Sequence, residues 1–188
     1  MPRASGSPLP DRLILVRHGA TAWNAEGRFT TRTDVELSPS GRDEAAAAAQ
    51  GLAGIGIERV MCSPLLRARA TGEAIAAVAP GPPAVTIDER LREIDAGPFE
   101  GLTGAETYES AVARARSFFG DVRDLPGTTL AATHGSLARV LVTAVILGID
   151  PGLHRRMWLD HCHCAVVALD ESPPRLVALN VDARNIGV

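Results

Sequence analysis

Leu13-Ile14-Leu15-Val16-Arg17-His18-Gly19 decides how this chain is read. A short, unbroken apolar run reads as a strand buried on both faces. It stops abruptly at an arginine, a histidine and a glycine. In a layered α/β fold, residues just past a strand end are presented to a cleft. A histidine there can serve as nucleophile or base. The arginine beside it can hold a phosphate or carboxylate through two parallel hydrogen bonds. One tripeptide is a weak signal. It gains force from Arg67, Glu93 and a second His-Gly at His134-Gly135.

Outward from that strand, the pattern alternates. Residues 1–11 hold three prolines and read as a disordered tail without the apolar core of a signal peptide. Residues 12–188 read as a single domain. Residues 19–37 are polar loop. Ser38 and Pro39 suit the N-cap and first position of a helix that runs to about Ala53. A strand is expected at 59–62, a helix opening at Pro64 and reaching Val78, and a short strand at 84–87. Residues 88–104 read as loop, 106–122 as helix and 128–133 as strand. A helix follows from Gly135 to about Leu147, then a short helical segment within 151–159. Strands at about 162–169 and 175–179 close the chain. Alternating strands and helices predict an α/β three-layer sandwich, with a mainly parallel central sheet flanked by helices.

Composition narrows the function classes. At 188 residues and 46% hydrophobic, the chain can bury a sizeable core, although aromatics make up only 4%. A formal charge of -3 gives no electrostatic reason to expect nucleic acid or an anionic membrane surface as partner. The three cysteines are too few for a disulfide framework and suit a reducing, cytoplasmic setting. No window is apolar for long enough to span a membrane. The apolar stretches 137–147 and 165–169 would serve core or homodimer contacts equally.

Five ordered segments resemble the histidine phosphatase superfamily, also called phosphoglycerate mutase-like. They are Leu15-Val16-Arg17-His18-Gly19-Ala20-Thr21-Ala22-Trp23-Asn24, then Gly27-Arg28-Phe29-Thr30 with Leu37-Ser38-Pro39-Ser40-Gly41, and Cys62-Ser63-Pro64-Leu65-Leu66-Arg67. Leu91-Arg92-Glu93-Ile94-Asp95-Ala96-Gly97 and Thr133-His134-Gly135-Ser136 complete the set. The resemblance implies that His18 is a nucleophile that becomes phosphohistidine. It implies that Arg17, Arg67 and His134 surround the phosphoryl group, and that Glu93 is the acid and then the base. It also implies a phosphate pocket lined by Asn24 and Thr30. Thr31 stands where relatives often have glycine, near the phosphate entrance.

The chemistry is consistent with those roles. Phosphoryl transfer is catalysed mainly by positioning and by fixed positive charge. Arg17 and Arg67 supply that charge and favour the neutral form of His18. His134, if protonated, would add a charged donor. The amides of Gly135 and Ser136 open a helix and suit an anion. The scheme requires no metal or cofactor. Glu89, Asp95 and Glu100 compete with Glu93 as the acid. His161-Cys162-His163-Cys164 is a tempting metal motif. On a regular strand, however, its histidines and cysteines would face opposite ways, which favours packing and a place at the pocket edge.

The resemblance points to the phosphatase branch. Mutases of the family carry a different motif around the acid and further basic residues that grip a carboxylate. Here the downstream Arg114, Arg116 and Arg123 read as helix surface. Only 40 residues lie between Glu93 and His134, which implies a shortened lid and an open cleft. The expected function is metal-independent hydrolysis of a small phosphorylated metabolite, a sugar phosphate or similar. A bisphosphate-primed mutase and a phosphohistidine-protein phosphatase are the alternatives.

Overall fold

The computed structural model describes residues 11–97 and 106–186. A six-stranded sheet runs in the order β3-β2-β4-β1-β5-β6. The strands are β1 (Arg12–Arg17), β2 (Ile57–Cys62), β3 (Val85–Ile87), β4 (Thr128–Thr133), β5 (His163–Ala168) and β6 (Arg175–Asp182). The first four are mutually parallel, whereas β5 pairs antiparallel with both β1 and β6. The sheet is therefore mainly parallel, as the sequence predicts.

Strand alternation divides β1 between two cores. Ile14 and Val16 pack with Ala45, Ala48 and Leu52 of α2 (Pro39–Leu52) and with Ile75 of α3 (Leu66–Val78). Leu13 and Leu15 pack on the opposite face with Phe118 and Val122 of α4 (Tyr108–Val122). Leu137 and Leu141, from the helix that begins with α5 (Gly135–Val140), join them there. Helices thus cover both faces, and the sheet is the middle layer of three. Among the described residues, no helix is long and apolar enough to cross a membrane.

The structure departs from the sequence reading in four places. Within the expected loop 19–37, Ala22–Ala25 forms one helical turn, α1. It is held by a reciprocal capping box: Asn24 N donates to Thr21 Oγ1, and Thr21 N donates to Asn24 Oδ1. Four residues are too few to show a helical apolar period. The expected helix 135–147 is α-helical only to Val140 and π-helical over Leu141–Ile146. There the Thr143 hydroxyl donates to the Arg139 carbonyl and competes with the regular ladder. The last strand reaches Asp182 rather than 179. Asp11, assigned to the tail, is tied to the sheet: its carbonyl accepts from Leu169 N and its carboxylate from Gly127 N. The rest of that tail lies outside the described residues, as do residues 98–105 of the stretch between Glu93 and His134 in which a shortened lid is expected.

The C-terminal ends of β1, β4 and β2 lie side by side. His18 N donates to Thr133 O, and Ser63 N to Ala132 O. Because β5 is antiparallel, its N-terminal end arrives at the same edge. This edge is where an open α/β sheet presents its cleft. The loop after His18 is pinned against the start of α2, where both Ser38 N and Ser38 Oγ donate to Ala20 O. A Cβ on Gly41 would lie 1.9 Å from that same oxygen, so only glycine fits the crossing.

Candidate active site

His18 is buried at the floor of a pocket of about 210 Å³. Its Nδ1 lies 2.7 Å from the carbonyl oxygen of Gly19. A carbonyl can only accept, so Nδ1 carries the hydrogen. In the neutral ring, Nε2 therefore holds a lone pair. Arg67 Nε donates to that lone pair at 3.2 Å. Burial first, then the nearby Arg67 and Arg17 charges, hold this imidazole well below its usual range. A neutral ring with a lone pair on Nε2 can act as a nucleophile.

Arg67 is fully buried. Its Nη donors bond the carbonyls of Thr30, Thr31 and Thr33 at 3.0–3.1 Å. The arginine expected to grip phosphate thus also holds the loop at the pocket entrance, and it stands behind His18 rather than among the residues lining the pocket. Thr30 and Thr31 line that entrance, with Thr31 buried. Asn24 lines it too, while its Oδ1 accepts both the amide and the hydroxyl of Thr21.

Arg17 donates Nη1 to Leu159 O and Nη2 to His161 Nε2, both at 2.8 Å. Its Nε is buried without a protein partner among the described residues. The start of α5 packs against this guanidinium: a Cβ on Gly135 would stand 3.4 Å from that nitrogen, in ordinary contact.

His134 is fully buried, with its ring 5.1 Å from that of His18. Its Nε2 pairs with Ser63 Oγ at 2.8 Å, and its Nδ1 has no partner among the described residues. Burial first, then His18 and Arg67, hold this ring well below its usual range too. In the free protein this favours the neutral ring over the charged form considered from the sequence.

Glu93 lines the pocket and sits on the N-terminus of α5. Its Oε2 accepts from Ser136 N at 3.1 Å, and its Oε1 from Leu137 N at 3.0 Å and Ile94 N at 2.9 Å. At this helix start the Ser136 amide, expected to face a phosphate, thus already holds a carboxylate. Of the competing acids, the described Glu89 and Asp95 do not line this pocket. Asp95 pairs with Arg32 and Glu89 with Arg92, while Glu100 lies outside the described residues.

Arg114, read as helix surface, is instead partly buried. It donates to the carbonyls of Arg90 and Arg92 and pairs with Glu106 at 2.6 Å, bracing the turn that delivers Glu93. Sequence reasoning missed four further groups: Ser63, Arg139, Phe29 and Trp158. Ser63 stood in the quoted Cys62-Ser63-Pro64 segment with no role given. Arg139 lies one helical turn after Gly135, and that spacing could have placed it on the pocket wall. It donates to Gly135 O and Met157 O. Phe29 and Trp158 are 62% and 75% exposed and form the rim.

The four residues His161–Cys164 do not converge. Cys162 and Cys164 lie in the core beside α2, where burial pushes both thiols up, that of Cys162 to about 12. His161 turns the other way, onto Arg17.

A model of the histidine phosphatase superfamily (branch 1) matches residues 13–110 and 103–182. A probable phosphoglycerate mutase from Salmonella paratyphi B is 28% identical, with 86% of each chain matched. A solved phosphoserine phosphatase from Entamoeba histolytica, in complex with 3-phosphoglyceric acid, superposes with a TM-score of 0.81 at 24% identity. That match covers 93% of this chain and 99% of that one. A putative alpha-ribazole-5'-P phosphatase from Escherichia coli superposes with a TM-score of 0.84 at 21% identity, covering 96% and 100%. These structures share the fold.

Proposed function

The chain belongs to the histidine phosphatase superfamily, and we propose that within it this protein is a metal-independent phosphomonoesterase. It hydrolyses a small phosphorylated metabolite through a phosphohistidine on His18. One observation carries this reading. Two buried nitrogen atoms, Nε of the adjacent Arg17 and Nδ1 of His134, whose ring is 5.1 Å from that of His18, have no hydrogen-bond partner among the described residues. Buried polar groups are almost always paired, so these two orphans support a site for an anion beside His18.

The roles follow from the hydrogen bonds. The His18 Nε2 lone pair attacks phosphorus and the phosphorus–oxygen ester bond breaks. Arg67 Nε–H, which holds that lone pair in the free enzyme, moves to a phosphoryl oxygen. Arg17 Nε–H takes a second oxygen. Ser63 O–H donates to His134 Nε2, which leaves Nδ1–H directed at the phosphoryl group. Asn24 spends its Oδ1 on Thr21, so it meets the anion through Nδ2. Glu93 delivers a proton to the leaving alcohol. Oε2 is the oxygen that carries it, because Oε2 accepts one amide whereas Oε1 accepts two. Glu93 then takes a proton from water, whose oxygen attacks the phosphohistidine. Inorganic phosphate leaves and His18 is regenerated.

Two features favour hydrolysis over mutase chemistry. The basic residues of α4 are turned to other work: Arg114 braces backbone carbonyls, and Arg116 lines a separate surface depression. The rim aromatics are exposed, and an open site excludes water poorly. The test is turnover of p-nitrophenyl phosphate and a panel of phosphorylated metabolites after chelator treatment, alongside a coupled phosphoglycerate isomerisation assay. Equal release of alcohol and phosphate without isomerisation is expected. Isomerisation dependent on a bisphosphate primer, or no hydrolysis of any ester, would overturn the reading.

A further inference from the structure

His161 belongs to the motif that suggested a metal, yet the structure gives it different work. The segment Leu159–His163 forms a collar around Arg17. Leu159 O accepts Nη1, His161 Nε2 accepts Nη2, and Cys162 N donates to Arg17 O at 3.0 Å. The collar has a backbone cost. Cys162 has φ = 55°, the left-handed region that a non-glycine residue seldom occupies. Such an outlier persists only where its surroundings enforce it, and such sites cluster around function.

We propose that His161 is a positioning residue for Arg17: its neutral imidazole, with the Leu159 carbonyl, clamps the guanidinium from two ends so that Nε–H faces the phosphoryl group. The inference rests on the reading of the pocket as a phosphate site and assigns a role that the five expected catalytic side chains do not cover. Arginine only donates, so a histidine facing it must accept, and it can accept at Nε2 only while unprotonated. The surroundings enforce that state. Burial and the adjacent Arg17 charge push the His161 ring down to about 4, with Asp160 opposing and His163 assisting more weakly. From the β1 side it faces Arg17 and His18, whose ring centroid is 5.7 Å away. A carboxylate in its place would neutralise the Arg17 charge that the transferring phosphoryl group needs. A neutral acceptor fixes the fork and leaves the charge intact.

The geometry also says which substitution preserves the clamp. A glutamine carries its amide oxygen about as far from the backbone as Nε2 of histidine and can accept from Nη2. Leucine and alanine cannot accept. The experiment measures kcat and KM for p-nitrophenyl phosphate, and Ki for inorganic phosphate, in the wild type, His161→Gln, His161→Leu and His161→Ala. Thermal unfolding of each is recorded in parallel. In the leucine and alanine variants, kcat/KM falls and Ki for phosphate rises, each by about 10- to 100-fold, as for loss of one charged hydrogen bond. In the glutamine variant both stay within about threefold of the wild type. A packing role would instead track the melting temperature and spare Ki. The proposal is overturned if leucine and alanine match the wild type, or if glutamine is as impaired as they are. A wild type that neither hydrolyses the ester nor binds phosphate would instead refute the phosphatase reading itself.

Discussion

Keeping two imidazoles neutral inside the protein has a pH-dependent cost that can be worked out. His18 and His134 are buried and held well below the ordinary value of 6.5. In the unfolded chain each binds a proton as pH falls through about 6.5. Below that value the unfolded state holds more protons than the folded state, so acid favours unfolding. The associated stability is complete above pH 6.5 and is lost as pH drops beneath it. Between pH 7.5 and 5.5 each ring removes roughly 1 kcal/mol, and the pair roughly 2–3 kcal/mol. His161 acts in the same direction but is only partly buried, so solvent screening leaves it a smaller share. The shifted carboxylates, Asp88 and Asp182, are lowered from 3.8 and act only below about pH 5, outside this window. Against a typical total of about 5–15 kcal/mol, the loss is large. Urea unfolding at the two pH values measures it, and the midpoint should fall by about 1–2 M. Replacing His134 with glutamine should remove about half of the pH effect. Equal stabilities at both pH values, or ring resonances of His18 and His134 that titrate near 6.5, would refute the reasoning.

Three further outcomes follow from the same geometry. Glu93→Gln should lower kcat by about 10²- to 10⁴-fold on alkyl phosphates. The loss should shrink for p-nitrophenyl phosphate, whose leaving group needs no proton; an equal loss on both ester types would mean Glu93 does not serve as the acid. Gly41→Ala places a methyl group on the Ala20 carbonyl and should cost about 1–3 kcal/mol in denaturant unfolding. It should also weaken phosphate binding through the displaced His18 loop, so unaltered stability would contradict the crossing described. Trp158→Ala should leave stability within about 0.5 kcal/mol, because the ring is 75% exposed. It should raise KM for aryl phosphates by about 2- to 10-fold, and an unchanged KM would remove Trp158 from the substrate rim.

The architecture was legible because its signals are local. The apolar run 13–16, the Ser38-Pro39 helix start and the buried strand 128–133 each announce one element, and their alternation announces the layers. The π-helical stretch was not legible, because the Thr143 hydroxyl bond that perturbs the ladder does not alter the apolar pattern. The candidate site was legible as a set of residue types and less so as a set of contacts. A sequence shows that Arg67 and Glu93 are present. It does not show that Arg67 spends donors on three loop carbonyls, or that Glu93 caps α5. Arg114 looked like helix surface because its partners, the carbonyls of Arg90 and Arg92, are backbone atoms that leave no mark in a sequence. Strand alternation already placed His161 at the pocket edge, but its partner was not legible, because only the fold brings Arg17 within its reach.

The central claim is that Nε2 of residue 18, with its lone pair free of a proton, forms a bond to phosphorus. Rapid quenching during turnover of a ³²P-labelled phosphate ester, followed by peptide mapping and identification of the phosphohistidine isomer, tests it directly. The account predicts an acid-labile, base-stable phosphate on Nε2 of His18, absent from His18→Ala. Phosphate on Nδ1 or on another residue, or undiminished turnover in His18→Ala, would contradict it.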